Sequence, residues 1–190
     1  EIIRINELMY ESGMIEEKQD IEKLPKEELK QRKLLRDFII ATDNFIVYRP
    51  NFGLHTIIAG YPWFLDWGRD SLISFEGLLL ATKRYEIAKE VLLTSIRDIK
   101  FGLVPNGYSG YDNRPLYNSS DSSLLLFEAV YKYARYTGDY KFIEKNIYEK
   151  LVLIINNYCK GIDLDDNNIF LDIDGLLSAG GKHTKYMDGC

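Results

Sequence analysis

Residues 121–161 read DSSLLLFEAVYKYARYTGDYKFIEKNIYEKLVLIINNYCKG, and this stretch decides the fold. Its first part, 121–136, is apolar on most sides through Leu124, Leu125, Leu126, Phe127, Val130 and Tyr131. A helix of that kind is expected to be buried all round. Its second part, 140–160, carries one apolar stripe of Phe142, Ile143, Ile147, Leu151, Ile154, Ile155 and Tyr158. That spacing predicts a helix with one face on the core. Only Thr137-Gly138-Asp139 separates the two. Gly138 suits a left-handed C-cap, Asp139 suits an N-cap, and Gly161 is a natural stop. A buried helix followed at once by an amphipathic one reads as an inner and outer pair.

The pair recurs upstream. Residues 70–84 are apolar nearly all round through Leu72, Ile73, Phe75, Leu78, Leu79 and Leu80. After a one-residue link near Tyr85, residues 86–100 carry the stripe Ile87, Ala88, Val91, Leu92, Ile96 and Ile99, with Gly102 as the stop. A first amphipathic helix is expected over 26–48, with Leu34, Phe38, Ala41 and Phe45 on one face, until Arg49-Pro50 ends it. Residues 1–25 read as a linker or the end of a preceding domain. Residues 169–171 read as a short strand, and Asp188 as the start of a sixth helix. Inner-to-outer links are short, whereas the outer-to-inner links 49–69, 101–120 and 161–187 are long. Long loops in compact domains are usually functional. All three emerge at one end, over the N-termini of the inner helices. The expected fold is therefore all-α, a partial α/α toroid of about five to six helices with long loops at one end, spanning 26–190. An ordinary helical bundle with wandering loops is the alternative.

Composition narrows the function. The chain has 190 residues and is 46% hydrophobic, enough for a sizeable core. Its net charge of −5 lacks the basic face a nucleic-acid binder needs. No apolar run approaches the roughly 20 residues of a membrane span, and no signal peptide is visible. A cytoplasmic setting is expected, with neither nucleic acid nor membrane as partner. The two cysteines, Cys159 and Cys190, form no Cys-x-x-Cys pair, and Cys159 is expected in the core. The chain begins at Glu1 and stops at Cys190, just after Asp188, so it reads as an internal piece of something longer.

The loop end carries the chemistry. The first long loop contains Ala59-Gly60-Tyr61-Pro62-Trp63-Phe64-Leu65-Asp66-Trp67-Gly68-Arg69-Asp70, with both tryptophans of the chain. Aromatic platforms beside Asp66, Arg69 and Asp70 suit a sugar, whose ring offers an apolar C–H face and a rim of hydroxyls. A loop tucked into the core by its aromatics is the alternative. The second loop holds Pro105-Asn106-Gly107-Tyr108 and Tyr117-Asn118-Ser119-Ser120-Asp121. Asp121 is either a helix cap or a carboxylate at the mouth. The third loop is rich in Asp, but a calcium loop counted from Asp163 has Asn168 where Gly is required, so a solvated turn is favoured. There is no phosphate-binding glycine loop, no nucleophile elbow, and only His55 and His183 among histidines. The carboxylates remain, and carboxylate pairs around a sugar are the equipment of glycoside hydrolysis.

The segment Ala59–Asp70 closely resembles the AGYPWF-x-DWGRD signature of the amylo-α-1,6-glucosidase domain of glycogen debranching enzymes, in their bacterial and archaeal form. Val104-Pro105-Asn106 and Tyr117–Asp121 resemble downstream blocks of the same family. The resemblance implies an (α/α)6 toroid of which this chain holds the first half. It implies removal of α-1,6-linked glucose from glycogen-type α-glucans by inversion, without a cofactor or a metal. It implies that Tyr61, Trp63, Asp66, Trp67, Arg69 and Asp70 line the terminal glucose, with Asp121 nearby. The family's Thr-Trp-Met-Asp-Ala motif is matched by Lys185-Tyr186-Met187-Asp188-Gly189, which makes Asp188 the general acid, with Tyr for Trp and Gly for Ala. The family's general base lies in the second half of the toroid, so this chain alone is expected to be inactive. Inner helices left uncovered are expected to cause self-association. A glucoamylase-like or trehalase-like toroid, a non-catalytic module binding glycogen or maltooligosaccharides, and a plain helical scaffold are the competing readings.

Overall fold

The computed structural model describes residues 25–60, 64–109, 113–164 and 167–180. The first helix, α1 (Lys26–Asp43), follows Pro25, whose extended backbone cannot belong to it. It ends sooner than predicted. The chain turns at Asn44 into strand β1 (Ile46–Arg49), which pairs antiparallel with β2 (Leu54–Ile57) in the register Ile46 to Ile57 and Arg49 to Leu54. The physical reason is local. Ile46-Val47-Tyr48 and Thr56-Ile57 are β-branched or aromatic, and Pro50-Asn51-Phe52-Gly53 between them is turn chemistry. Gly53 has φ +67, a conformation that favours glycine. The expected stripe on α1 shifts with it. Leu34 and Phe38 are exposed, Ile39 is buried, and Phe45 packs on the core from beyond the helix.

Helix α2 (Gly68–Phe75) continues into a π-helical turn, Glu76–Leu80. It is followed by α3 (Tyr85–Arg97), which ends before the predicted position. The second long loop contains a small hairpin of β3 (Gly107–Tyr108) and β4 (Pro115–Leu116). Gly102 lies in that loop at φ +80, in a tight turn with Lys100 and Leu103 hydrogen-bonded to each other, rather than at the end of a helix. Helix α4 (Ser122–Thr137) matches the prediction closely. Gly138 caps it at φ +67, and the Asp139 side chain accepts from the Phe142 N–H to open α5 (Tyr140–Asn146). The predicted single helix over 140–160 breaks at Ile147, where φ falls to −116, so α6 (Tyr148–Lys160) is separate. A three-stranded antiparallel sheet follows, β5 (Ile162–Leu164), β6 (Asn167–Leu171) and β7 (Leu177–Gly180), where one short strand was expected. Among the described residues the fold is therefore mostly helical with three small sheets, not all-α.

One core joins Phe75, Leu79 and Leu80 of α2 and its π turn to Val91 and Leu92 of α3, Leu126 and Tyr133 of α4, and Ile154 of α6. Each such side chain contributes about 1.5–3 kcal/mol by leaving water. Helices α2 and α4 are not buried all round, as their apolar content led us to expect. Ile73 of α2 is 58% exposed and Tyr131 of α4 60% exposed, so each helix keeps a large apolar side chain in solvent. Cys159 is exposed rather than in the core. Among the described residues no helix is long and apolar enough to cross a membrane.

Candidate functional site

The first and second long loops meet at the N-termini of α2 and α4. Trp67 precedes α2 in an extended conformation and pairs antiparallel with Gly107. The Gly68 N–H donates to the Asn106 carbonyl at 2.6 Å. Only glycine fits at 68, because a Cβ there would stand 2.5 Å from the Pro105 carbonyl oxygen. Gly107 is similarly close-packed, its Cβ position lying 3.4 Å from the Trp67 ring. Backbone approach of this kind is what glycines in a loop permit.

Side chains complete the junction. Asn106 is fully buried. Its Oδ1 accepts from the Arg69 N–H at 3.3 Å and from the Ser122 hydroxyl at 3.2 Å, and its Nδ2 donates to Asn118 Oδ1 at 3.2 Å. One amide thus touches the first turns of both helices. The Ser119 hydroxyl accepts from the Ser122 N–H and donates to Asp121 Oδ1. Asp121 makes no capping bond with its own side chain. It forms an ion pair with Arg69, Nη1 to Oδ2 at 3.1 Å, and both side chains remain about a third exposed, at 34% and 38%. The cap reading of Asp121 therefore lacks the side-chain bond that would define it. Asp70 follows Arg69, and its Oδ2 is buried with no hydrogen-bond partner.

Asp66 stands apart from this group. It is 5% exposed and paired with Arg49, Nη1 to Oδ1 at 2.6 Å. Burial pushes its carboxyl above the ordinary range, and the Arg49 charge works against that shift. Its Oδ2 is buried without a hydrogen bond. Asp66, Thr56, Ser71, Thr94 and Tyr108 line a cavity of about 20 Å³, room for one water rather than for a sugar. Behind the second loop, the Tyr158 hydroxyl donates to the Ser120 carbonyl at 2.6 Å. Burial pushes the Tyr158 phenol up to about 12.

The structure therefore brings Trp67, Arg69, Asp70 and Asp121 to one junction and holds Asp66 behind it. Tyr61, Trp63 and Asp188 lie outside the described residues. Sequence reasoning missed Arg49 and the part played by Asn106. Asn106 carried a signal in its position between Pro105 and Gly107, whereas Arg49 carried none. Among the described residues no group of three or more His, Cys, Asp or Glu could hold a metal ion.

Arg69 and Asp121 thus set a cation and a carboxylate, each about a third exposed, at the first turns of two helices. The chain belongs to the amylo-alpha-1,6-glucosidase family, whose sequence profile matches residues 40–189. That stretch includes the junction just described and extends through Asp188. The chain is also 35% identical over 95 residues to the glycogen debranching enzyme of Saccharomyces cerevisiae. This similarity takes in 47% of the chain and 6% of the yeast enzyme, so the chain spans a small part of that relative's length.

Proposed function

We propose that the protein carrying this chain hydrolyses α-1,6-linked glucose from glycogen-type α-glucans, and that residues 26–190 form the first half of an (α/α)6 catalytic toroid. The observation that carries the reading is the Arg69–Asp121 pair. It joins the first turns of two separate helices at 3.1 Å yet leaves both side chains open to a ligand. Membership of the amylo-alpha-1,6-glucosidase family supports the substrate class.

In this reading the terminal glucose lies against Trp67, Tyr61 and Trp63. Arg69 donates to its hydroxyls while Asp70 and Asp121 accept from them. Asp70 stands in the first turn of α2 beside Arg69, which places its carboxylate next to the pair. Asp66 serves from behind, orienting Trp67 through its pairing with Arg49. Asp188 protonates the glycosidic oxygen. A carboxylate outside this chain activates water from the opposite face, since inversion needs two carboxyls roughly 6.5–9.5 Å apart. No cofactor takes part. The chain alone is therefore inactive, and its exposed Ile73 and Tyr131 side chains lead it to self-associate.

The test is glucose release from a glucan bearing single α-1,6-linked glucose stubs. The full-length protein should release glucose as the β-anomer, and Asp188→Asn should abolish release while glucan binding persists. The isolated chain should release none and should scatter light as more than a monomer. Undiminished release by the Asp188→Asn protein would overturn the assignment of the acid, and the α-anomer would overturn inversion.

A further inference from the structure

Arg49 is the last residue of β1, at the mouth of the β1–β2 turn. It lies far from Trp67 and Asp121 in sequence and carries none of the motifs that define the junction. Yet its guanidinium binds two different loops. Nη1 donates to Asp66 Oδ1 at 2.6 Å, and Nη2 donates to Asn113 Oδ1 at 2.9 Å. Its own hairpin fixes its orientation, because the guanidinium sits 4.6 Å from the centre of the Phe52 ring, which in turn packs on Tyr108 at 4.9 Å.

These contacts close a ring around Trp67. Asp66 precedes Trp67, and Trp67 pairs with Gly107 at the root of the β3–β4 hairpin. The far end of that hairpin is held by the Ser109 N–H on the Arg114 carbonyl and the Asn113 N–H on the Ser109 carbonyl. Asn113 then returns to Arg49, and Arg49 returns to Asp66. Trp67 is thus gripped on one side by Asp66 and on the other by a hairpin that the same arginine holds at Asn113. A guanidinium presents its donors in a rigid planar fork and so holds two acceptors at a set separation, whereas a lysine ammonium is a compact point charge on a flexible stem.

We propose that Arg49 is a positioning residue of the glucan site: by joining Asp66 to Asn113 it locks the two loops against each other and sets the orientation of Trp67. The inference rests on the glucan-binding reading above for its consequence, but not for its geometry. Asn113 offers a clean probe. It is exposed, and its φ of +54 is one that glycine adopts freely, so Asn113→Gly removes the side chain without straining the backbone. Arg49→Lys keeps the charge beside Asp66 and gives up the fork.

Two readouts separate this inference from the function. The first is titration of the chain with maltooligosaccharides, followed by tryptophan fluorescence. Asn113→Gly and Arg49→Lys should each weaken binding about tenfold, and the double variant should be no weaker than either, because residues acting through one link are not additive. Thermal stability of Asn113→Gly should stay close to that of the parent. The second is acrylamide quenching of Trp67 in a Trp63→Phe background, where it is the only tryptophan. Quenching should rise in both variants. Unchanged quenching in Asn113→Gly overturns the proposal whatever the glucan does. Raised quenching, with no saturable glucan response in the parent chain, sustains the positioning role and counts against the glucan reading.

Discussion

The two ends of α4 are held in different ways. At its C-terminus the ties are local. Gly138 turns the chain with its N–H on the Ala134 carbonyl, and Asp139 caps α5 through the Phe142 N–H. The Thr137 hydroxyl donates to the Tyr133 carbonyl, four residues back. At its N-terminus the ties come from afar. Asn106 reaches Ser122 across 16 residues, and Tyr158 reaches Ser120 across 38. Arg69 reaches Asp121 from another helix altogether. The closed end is built by propensity, and the open end is assembled by side chains that the fold must first bring together. Local ties cost little sequence freedom. The distant ones hold polar groups in a partly open place, which is where a ligand can use them.

The sharpest way to break this contrast is Asn106→Ala. It strips a fully buried amide from the starts of both α2 and α4, leaving the Ser122 hydroxyl, the Arg69 N–H and the Asn118 side chain without that partner. A loss of about 3 kcal/mol is expected, since each abandoned buried group costs about 1–3 kcal/mol. Urea unfolding measures it, and a loss below about 1 kcal/mol would mean that the junction closes without the amide.

Glycines give the next comparison. Gly68→Ala at the open end puts a Cβ 2.5 Å from a backbone oxygen, so the loops must part. Forced overpacking of this kind costs about 2 kcal/mol, and it should weaken glucan binding as well. Gly138→Ala at the closed end meets nothing within 4 Å and pays only for φ +67, about 1 kcal/mol, with glucan binding unaffected. Equal effects on binding would erase the distinction between the two ends.

The same contrast explains what the sequence made legible. Helix α4, the start of α5, the Gly138 cap and the Asp139 cap follow from residues within one or two turns of each other. The motif Asp66–Asp70 was legible as chemistry because its residue types are unusual together. The β1–β2 hairpin was hidden because Phe45 continues the helical spacing of Phe38 and Ala41, and that stripe masked the extended preference of Ile46-Val47-Tyr48. The break at Ile147 was missed for a similar cause, since an apolar stripe says which face is buried but not where a helix is interrupted. Over 162–180 the strand at 169–171 was legible, but its two partners were not, because Asp163, Asp165, Asp166, Asp172 and Asp174 give that stretch the composition of a turn. Arg49 could not be read at all. Its partners lie 17 and 64 residues away, and nothing in its neighbours marks it.

The smallest expected effect concerns Tyr158, which ties α6 to the open end through the Ser120 carbonyl. At pH 7, Tyr158→Phe should lose about 1 kcal/mol, the worth of one hydrogen bond. The pH dependence is more telling. The phenol titrates at about 12 in the fold, raised mainly by burial and further by the nearby Asp121 charge. In the unfolded chain a tyrosine titrates near 10. A group whose folded value is raised contributes stability that is complete below the unfolded value and lost as pH rises through the folded one. The parent chain should therefore weaken between pH 10 and 12 by an amount the phenylalanine variant does not share. At one unit per about 1.4 kcal/mol, the two stabilities should meet near pH 11 and cross above it. Urea unfolding of both chains from pH 8 to 11.5 measures the gap. A gap that stays constant over that range would mean that the open end admits water to Tyr158, and that α6 does not seal it.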